Sequence, residues 1–182
     1  MITTFKTFAG RAILATAFFA LAATGCSDDS SSGADVTAGM DEPDWREHCL
    51  EVINKYRATE NLAPVALADE EKQKCADEQS ADDLATNKAH GHFKACGEWA
   101  QNSGPNANMS NGRKAADVAE YYLDMMWGEK KLVESGERDL EKDEDSPYIG
   151  HYKNMRGKYT KVACGIAVSK DGTTGWFNVD FF

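Results

Sequence analysis

Apolar positions three and four residues apart open the foldable part of this chain. Cys49, Val52, Ile53 and Tyr56 fall on one side of a helix ending near Asn61, with Asp44 where an N-cap is expected. A second helix is expected after Asp69. Glu70 and Glu71 lie near its positive end, and Cys75, Ala76, Ala81, Leu84 and Ala85 give it a small-residue face suited to close packing. Asn102 to Gly112, rich in Asn, Gly, Ser and Pro, reads as a loop. A third helix is expected over Lys114 to Trp127, with Ala115, Val118, Ala119, Tyr122 and Met126 inward. The charged run from Glu129 to Asp145 reads as a solvated helical extension or a surface loop. After His151 the period drops to two. Val162, Cys164, Ile166 and Val168 alternate with Ala163, Gly165 and Ala167, Asp171-Gly172 supplies a turn, and Gly175 to Phe182 forms the partner strand. Helices first and an antiparallel hairpin last predict an α+β domain.

The first residues describe delivery rather than fold. Lys6 and Arg11 precede the apolar run Ala12 to Ala23, which is long enough for a signal-peptide core and short for a bilayer span. Ala23-Thr24-Gly25-Cys26 resembles a bacterial lipobox, so residues 1–25 are expected to be a leader and Cys26 a lipidated cysteine. Residues 26–43, beginning Ser27-Asp28-Asp29-Ser30, read as a flexible acidic tether. That leaves 44–182 as one domain. No internal repeat is visible.

Charge and cysteine count sharpen this picture. The formal charge is −10, and removing Lys6 and Arg11 with the leader takes it to −12. Such acidity disfavours nucleic acid and electrostatic adhesion to anionic headgroups, so membrane contact is expected through the lipid alone. Five cysteines are odd for an exported chain. With Cys26 set aside, Cys49, Cys75, Cys96 and Cys164 allow three pairings and predict two disulfides in an oxidising compartment. Cysteines on both early helices make Cys49 to Cys75 the most economical first bond, with Cys96 to Cys164 as the second.

Several short motifs then occur in order: Val52-Ile53-Asn54-Lys55-Tyr56-Arg57-Ala58, Asn61-Leu62-Ala63-Pro64-Val65, Cys96-Gly97-Glu98, Met126-Trp127-Gly128-Glu129, Gly150-His151-Tyr152 and Val162-Ala163-Cys164-Gly165-Ile166-Ala167. Together they resemble the superfamily of cysteine-rich secretory proteins, antigen 5 and pathogenesis-related proteins, the CAP or SCP domains. Where the family commonly has Gly-Glu-Asn, this chain has Trp99 after Glu98. The family's tryptophan three residues before the second glutamate is Met126 here. The resemblance implies a three-layer α-β-α sandwich with a mainly antiparallel sheet and a cleft of two histidines and two glutamates. Glu98, Glu129 and His151 match three of these positions, and either His90 or His92 fills the fourth, with His90 preferred.

Such a set suits Zn2+ or another divalent cation, and Glu98 or Glu129 would be the candidate general base of an enzyme. The plainer reading is a hydrogen-bonded network that fixes loops. The chain has no Ser-His-Asp spacing, no His-Glu-x-x-His helix and no nucleophile elbow. Met125, Met126 and Trp127, like the aromatics from Trp176 to Phe182, read as core rather than as a lipid groove. Family members in eukaryotes are associated with sterols or fatty acids, which would imply an apolar groove between helices. The expectation is therefore an extracytoplasmic, lipid-anchored, monomeric binding module. Its partners would be the membrane and a lipid or cell-envelope ligand, not nucleic acid. Ser27 after the lipidated cysteine favours the outer membrane or cell surface. A metal-dependent hydrolase acting on extracellular peptide or envelope material is the alternative.

Overall fold

A computed structural model describes residues 36–182. The expected leader, Cys26 and the tether up to Asp35 lie outside the described residues. The elements are β1 (Val36–Ala38), α1 (Trp45–Ala58), β2 (Ala66–Leu67), α2 (Glu70–Thr86), β3 (Ala100–Asn108), α3 (Ala115–Gly128), α4 (Lys130–Glu134), α5 (Ser146–Met155), β4 (Lys161–Ser169) and β5 (Thr174–Phe181). The strands form one sheet in the order β1-β4-β5-β3. All its pairings are antiparallel except the short β2, which runs parallel to β4. Among the described residues no helix is long and apolar enough to cross a membrane.

The period-two pattern of β4 and β5 sorts side chains onto two faces, and each face takes a helical layer. Cys164, Ile166, Phe177, Val179 and Phe181 join the main core with Ile53, Val118, Leu123 and Met126 of α1 and α3. The opposite face carries Ala163 and Gly165, on which α2 rests. A Cβ at Gly165 would lie 2.2 Å from the Ala76 carbonyl, so only glycine admits the helix this closely. The result is the expected α-β-α sandwich.

That contact explains why α2 buries polar residues. Between β2 and β1 one side of β4 lacks a strand neighbour, and its backbone groups must find other partners. Gln73 accepts from Cys164 N at 3.0 Å and donates to Val162 O. Asp77 accepts from Ile166 N at 3.0 Å and is paired with Arg46, whose Nε donates to Cys164 O. Side chains complete what a strand would otherwise supply. Burial pushes the Asp77 carboxyl above its ordinary range, with Arg46 and the Ile166 amide acting against it.

Several expectations are corrected. Residues 102–108 are not loop but most of β3, held in register with β5 from Ala100↔Phe181 to Asn108↔Thr174, with an irregularity between Gly104 and Ala107. The polar residues that suggested a loop are there because β3 hydrogen-bonds through them: Trp176 Nε1 donates to Ser103 Oγ at 2.7 Å, and Asn102 donates to His151 O. Asp44 is left-handed (φ 61°) and makes no side-chain cap, whereas Asp69 accepts from Lys72 N at 3.0 Å and caps α2. Within the stretch expected to be tether, Val36–Ala38 pairs with β4, and Glu42 accepts from Ala115 N at 2.6 Å at the start of α3. The folded unit therefore begins before residue 44. Gly150-His151-Tyr152, assigned to no element by pattern, lies in α5.

The four cysteines do form two disulfides, but not in the expected pairs. Cys49 joins Cys164 and Cys75 joins Cys96. Cys49 and Cys164 both face the main core, whereas Cys75 looks toward the segment that links α2 to β3. Cysteines on consecutive helices lie on opposite sides of the sheet here.

Candidate functional site

Two adjoining clefts open beside the start of β3. One, of about 300 Å³, is lined by His90, Gln101, Ser146, Pro147, Gly150, His151 and Asn154. The other, of about 340 Å³, is lined by His90, Phe93, Trp99, Ala100, Gln101 and Asn154. His90, Gln101 and Asn154 belong to both, so the two form one groove. His151 comes from α5, Gln101 from β3, and His90 from the segment after α2.

That segment is held rather than loose. His90 and Lys94 adopt positive φ (60° and 77°), conformations that persist when surrounding bonds enforce them. Asp83 of α2 accepts from Gly91 N at 2.8 Å and from His90 N at 3.3 Å, while Gln79 donates to His92 O at 2.8 Å. The Cys75–Cys96 bond ties its far end to the same helix.

Hydrogen bonding fixes the state of both imidazoles. Gln79 Nε2 faces His92 O and Glu98 Oε1, which can only accept, so its Oε1 accepts from Gln101 Nε2 at 2.9 Å. Gln101 Nε2 also donates to Asp180 Oδ1 at 2.9 Å, leaving Gln101 Oε1 to meet His90 Nδ1 at 2.8 Å. A carbonyl oxygen only accepts, so His90 Nδ1 carries a proton and, in the neutral imidazole, Nε2 bears the lone pair. His151 Nδ1 meets Glu129 Oε1 at 2.6 Å, and the second Glu129 oxygen accepts from Tyr152 N at 3.0 Å. Here too Nδ1–H is the donor, which in the neutral imidazole leaves Nε2 as the free acceptor. Asn102 and Asn154 lock α5 to β3: Asn154 donates to Asn102 Oδ1 at 2.9 Å and to Gln101 O, and Asn102 donates to His151 O.

The five residues proposed from sequence are thus distributed unevenly. His90 and His151 line one cleft, with Glu129 behind His151. His92 lies outside that cleft. Its Nδ1 pairs with Asp82 at 2.6 Å on a half-exposed surface. Glu98 is also outside it. It is buried under the loop, where it accepts from Lys94 N and Gln79. The place beside His90 expected for Glu98 is taken by Gln101, and Gln101-Asn102 offers, three residues later and with an amide for the acid, the step that Glu98-Trp99 lacks. Reading Gln as a neutral counterpart of Glu would have found it. Among the described residues, the only group of three or more potential His, Cys, Asp or Glu ligands within 4.8 Å of one another is Cys96, Glu98 and Asp180, and that cysteine is disulfide-bonded.

Asp180 is the most perturbed acid beside this network. Burial, reinforced by the nearby charges of Glu98 and Asp83, pushes its pKa up to about 8 against the opposing Gln101 hydrogen bond. Its Oδ2 and the Glu98 Oε2 are both buried without hydrogen-bond partners. A proton on Asp180 relieves both the repulsion and the missing donor.

No curated protein sequence matches the chain significantly. Among solved structures, the surface antigen protein SAG19 of Eimeria tenella superposes with a TM-score of 0.44 at 14% identity, covering 82% of this chain and 87% of that one. The sequence profile of the cysteine-rich secretory protein family matches residues 50–181, from α1 to the end of β5. With that profile spanning most of its length, the chain belongs to the cysteine-rich secretory protein (CAP) family.

Proposed function

We propose that this chain is an exported CAP-domain binding protein whose groove holds a divalent cation, zinc being the natural candidate, between His90 and His151. The observation that carries this reading is that both imidazoles are held as Nδ1–H tautomers by an acceptor, with Nε2 free. This is the outer-shell arrangement that prepares histidine as a metal ligand. Glu129 and Gln101 then orient the ligands and are not ligands themselves, so the site would offer two protein donors and keep open positions for water or a bound molecule. When bound, such a cation supplies a Lewis-acidic centre. A hydrolase is the weaker reading, because both oxygens of Glu129, the carboxylate that orients His151, are already engaged. Zinc titration by calorimetry tests the proposal. Saturable binding should fall at least tenfold in His90→Ala and His151→Ala and persist in His92→Ala; equal affinity in all four proteins would refute it.

Export is supported by the two disulfides, which fit an oxidising location. Anchoring through Cys26 is supported by arithmetic: four of five cysteines pair, leaving Cys26 alone. Attachment at the outer membrane or cell surface, with a lipid or envelope partner, belongs to the same proposal. Mass spectrometry of the membrane fraction should find diacylglycerol on Cys26, and Cys26→Ala should release the protein to the soluble fraction. A soluble wild-type protein with a free Cys26 thiol would end the anchoring proposal.

A further inference from the structure

The half of the groove away from His151 has chemistry that cation binding does not use. Trp99 is 76% exposed, the highest exposure among the large hydrophobic side chains of the described residues, and Phe93 stands with it at the same cleft. Neither ring sits on a floppy stem. Trp99 N donates to Phe181 O at 2.8 Å at the head of β3, and Phe93 lies in the segment clamped by Asp83, Gln79 and the Cys75–Cys96 bond. His90 meets Phe93 edge to face at 6.5 Å between ring centroids. Two aromatic side chains carried on fixed backbone thus line this cleft together with Ala100.

The remaining lining decides what these rings would hold. Among the described residues no Asp, Glu, Lys or Arg lines either cleft. Lys94, whose Nζ lies over the Phe93 ring at 5.6 Å, shares a separate cavity beside Trp99 with the acidic Glu98, so no cluster of like charge is there to select a phosphate, a carboxylate or a quaternary ammonium group. The free polar capacity is made of acceptors together with one donor, the indole N–H of the exposed Trp99. Asn154 spends its amide nitrogen on Gln101 O and Asn102 Oδ1 and keeps its side-chain oxygen, and His90 keeps Nε2. An extended peptide adding to β3 would need the outward carbonyl of Gln101, which Asn154 already occupies. The fitting ligand is neutral, supplies hydroxyl donors, and offers a flat C–H face to an aromatic ring. We infer that the Trp99–Phe93 cleft is a saccharide subsite, with the sugar ring stacked on Trp99 and its hydroxyls donating to Asn154 Oδ1 and, when no cation occupies it, His90 Nε2.

The test uses the full chain in EDTA, so that it is independent of the cation reading. The probes are cellotetraose and N,N′,N″,N‴-tetraacetylchitotetraose, whose β-1,4-linked rings present flat C–H faces. Of the four tryptophans, Trp45, Trp127 and Trp176 are buried, so a saturable blue shift and protection from iodide quenching report on Trp99. By calorimetry, Trp99→Ala should weaken binding about tenfold, the size of one lost aromatic stack. Phe93→Ala should weaken it less, and His151→Ala should leave it unchanged. Trp99 is exposed, so its removal leaves the fold intact, and an unchanged melting temperature checks this. Failure of both oligosaccharides to bind, or equal binding by wild type and Trp99→Ala, overturns the inference. Zinc titration remains a separate readout of the other half of the groove.

Discussion

Replacing Asp180 with Asn should change how the stability of this protein depends on pH. A free aspartate titrates near ~3.9, whereas the folded chain holds its Asp180 proton up to about 8. Between those values the folded state keeps a proton that the unfolded state has released, so wild-type stability falls as pH rises through the window and levels off above it. Each unit of difference corresponds to about 1.4 kcal/mol, which sets a ceiling of about 6 kcal/mol for a full window of roughly four units. Local relaxation reduces this, and at least about 1 kcal/mol should survive between pH 5 and 8. Asparagine imitates the protonated acid: its oxygen can accept from Gln101 Nε2, and its amide can donate toward Glu98. Urea unfolding of both proteins at unit steps from pH 5 to 9, at constant ionic strength, measures the difference. The variant should already exceed wild type at pH 5, about one unit above the free-aspartate value, and the gap should widen progressively up to about pH 8. Asp77, also raised by burial, is present in both proteins and cancels. A stability difference independent of pH would refute the reasoning.

Three further outcomes are expected. Glu129→Gln and Gln101→Ala, which leave both ligands in place but remove their orienting partners, should each weaken zinc binding about 10- to 100-fold, read by calorimetry beside unchanged circular dichroism. Removing Cys49–Cys164, which closes a separation of 115 residues, should cost about 5 kcal/mol, and removing Cys75–Cys96, with a separation of 21, about 3 kcal/mol. Denaturant midpoints of the paired Ser variants should show that order. Gly165→Ala should destabilise by about 3 kcal/mol, at the upper end for overpacking, because the clash is with Ala76 backbone and no rotamer relieves it; an unchanged midpoint would show that α2 can move away.

The parts of the fold legible in sequence were those governed by local periodicity. The helices rich in apolar repeats and the β4–β5 hairpin announce themselves because burial on one face dictates spacing. β3 was hidden because its buried positions, on both covered faces of the sheet, include Gln101, Asn102 and Ser103, held by bonds that reach residues 50 or more positions away, such as Asn154 and Trp176. The same non-locality hid Gln101 in the groove. A motif spacing placed a glutamate three residues too early, and only the register of β3 with β5 shows which side chain reaches His90. The disulfide pairing failed for a related reason: sequence places Cys49 and Cys75 on consecutive helices, while the sheet between those helices decides that they never meet.

The bond from Cys49 to Cys164 also bears on durability outside the cell. The exposed charged stretch between Glu134 and Glu144 is where a protease would most readily cut, and it lies inside the span that this bond closes. A single cleavage there leaves both fragments covalently joined, with α1, α2 and β3 on one piece and α5, β4 and β5 on the other. Such a nicked molecule would run as one species without reductant and as two with it. It would keep the imidazoles of both pieces facing the same groove.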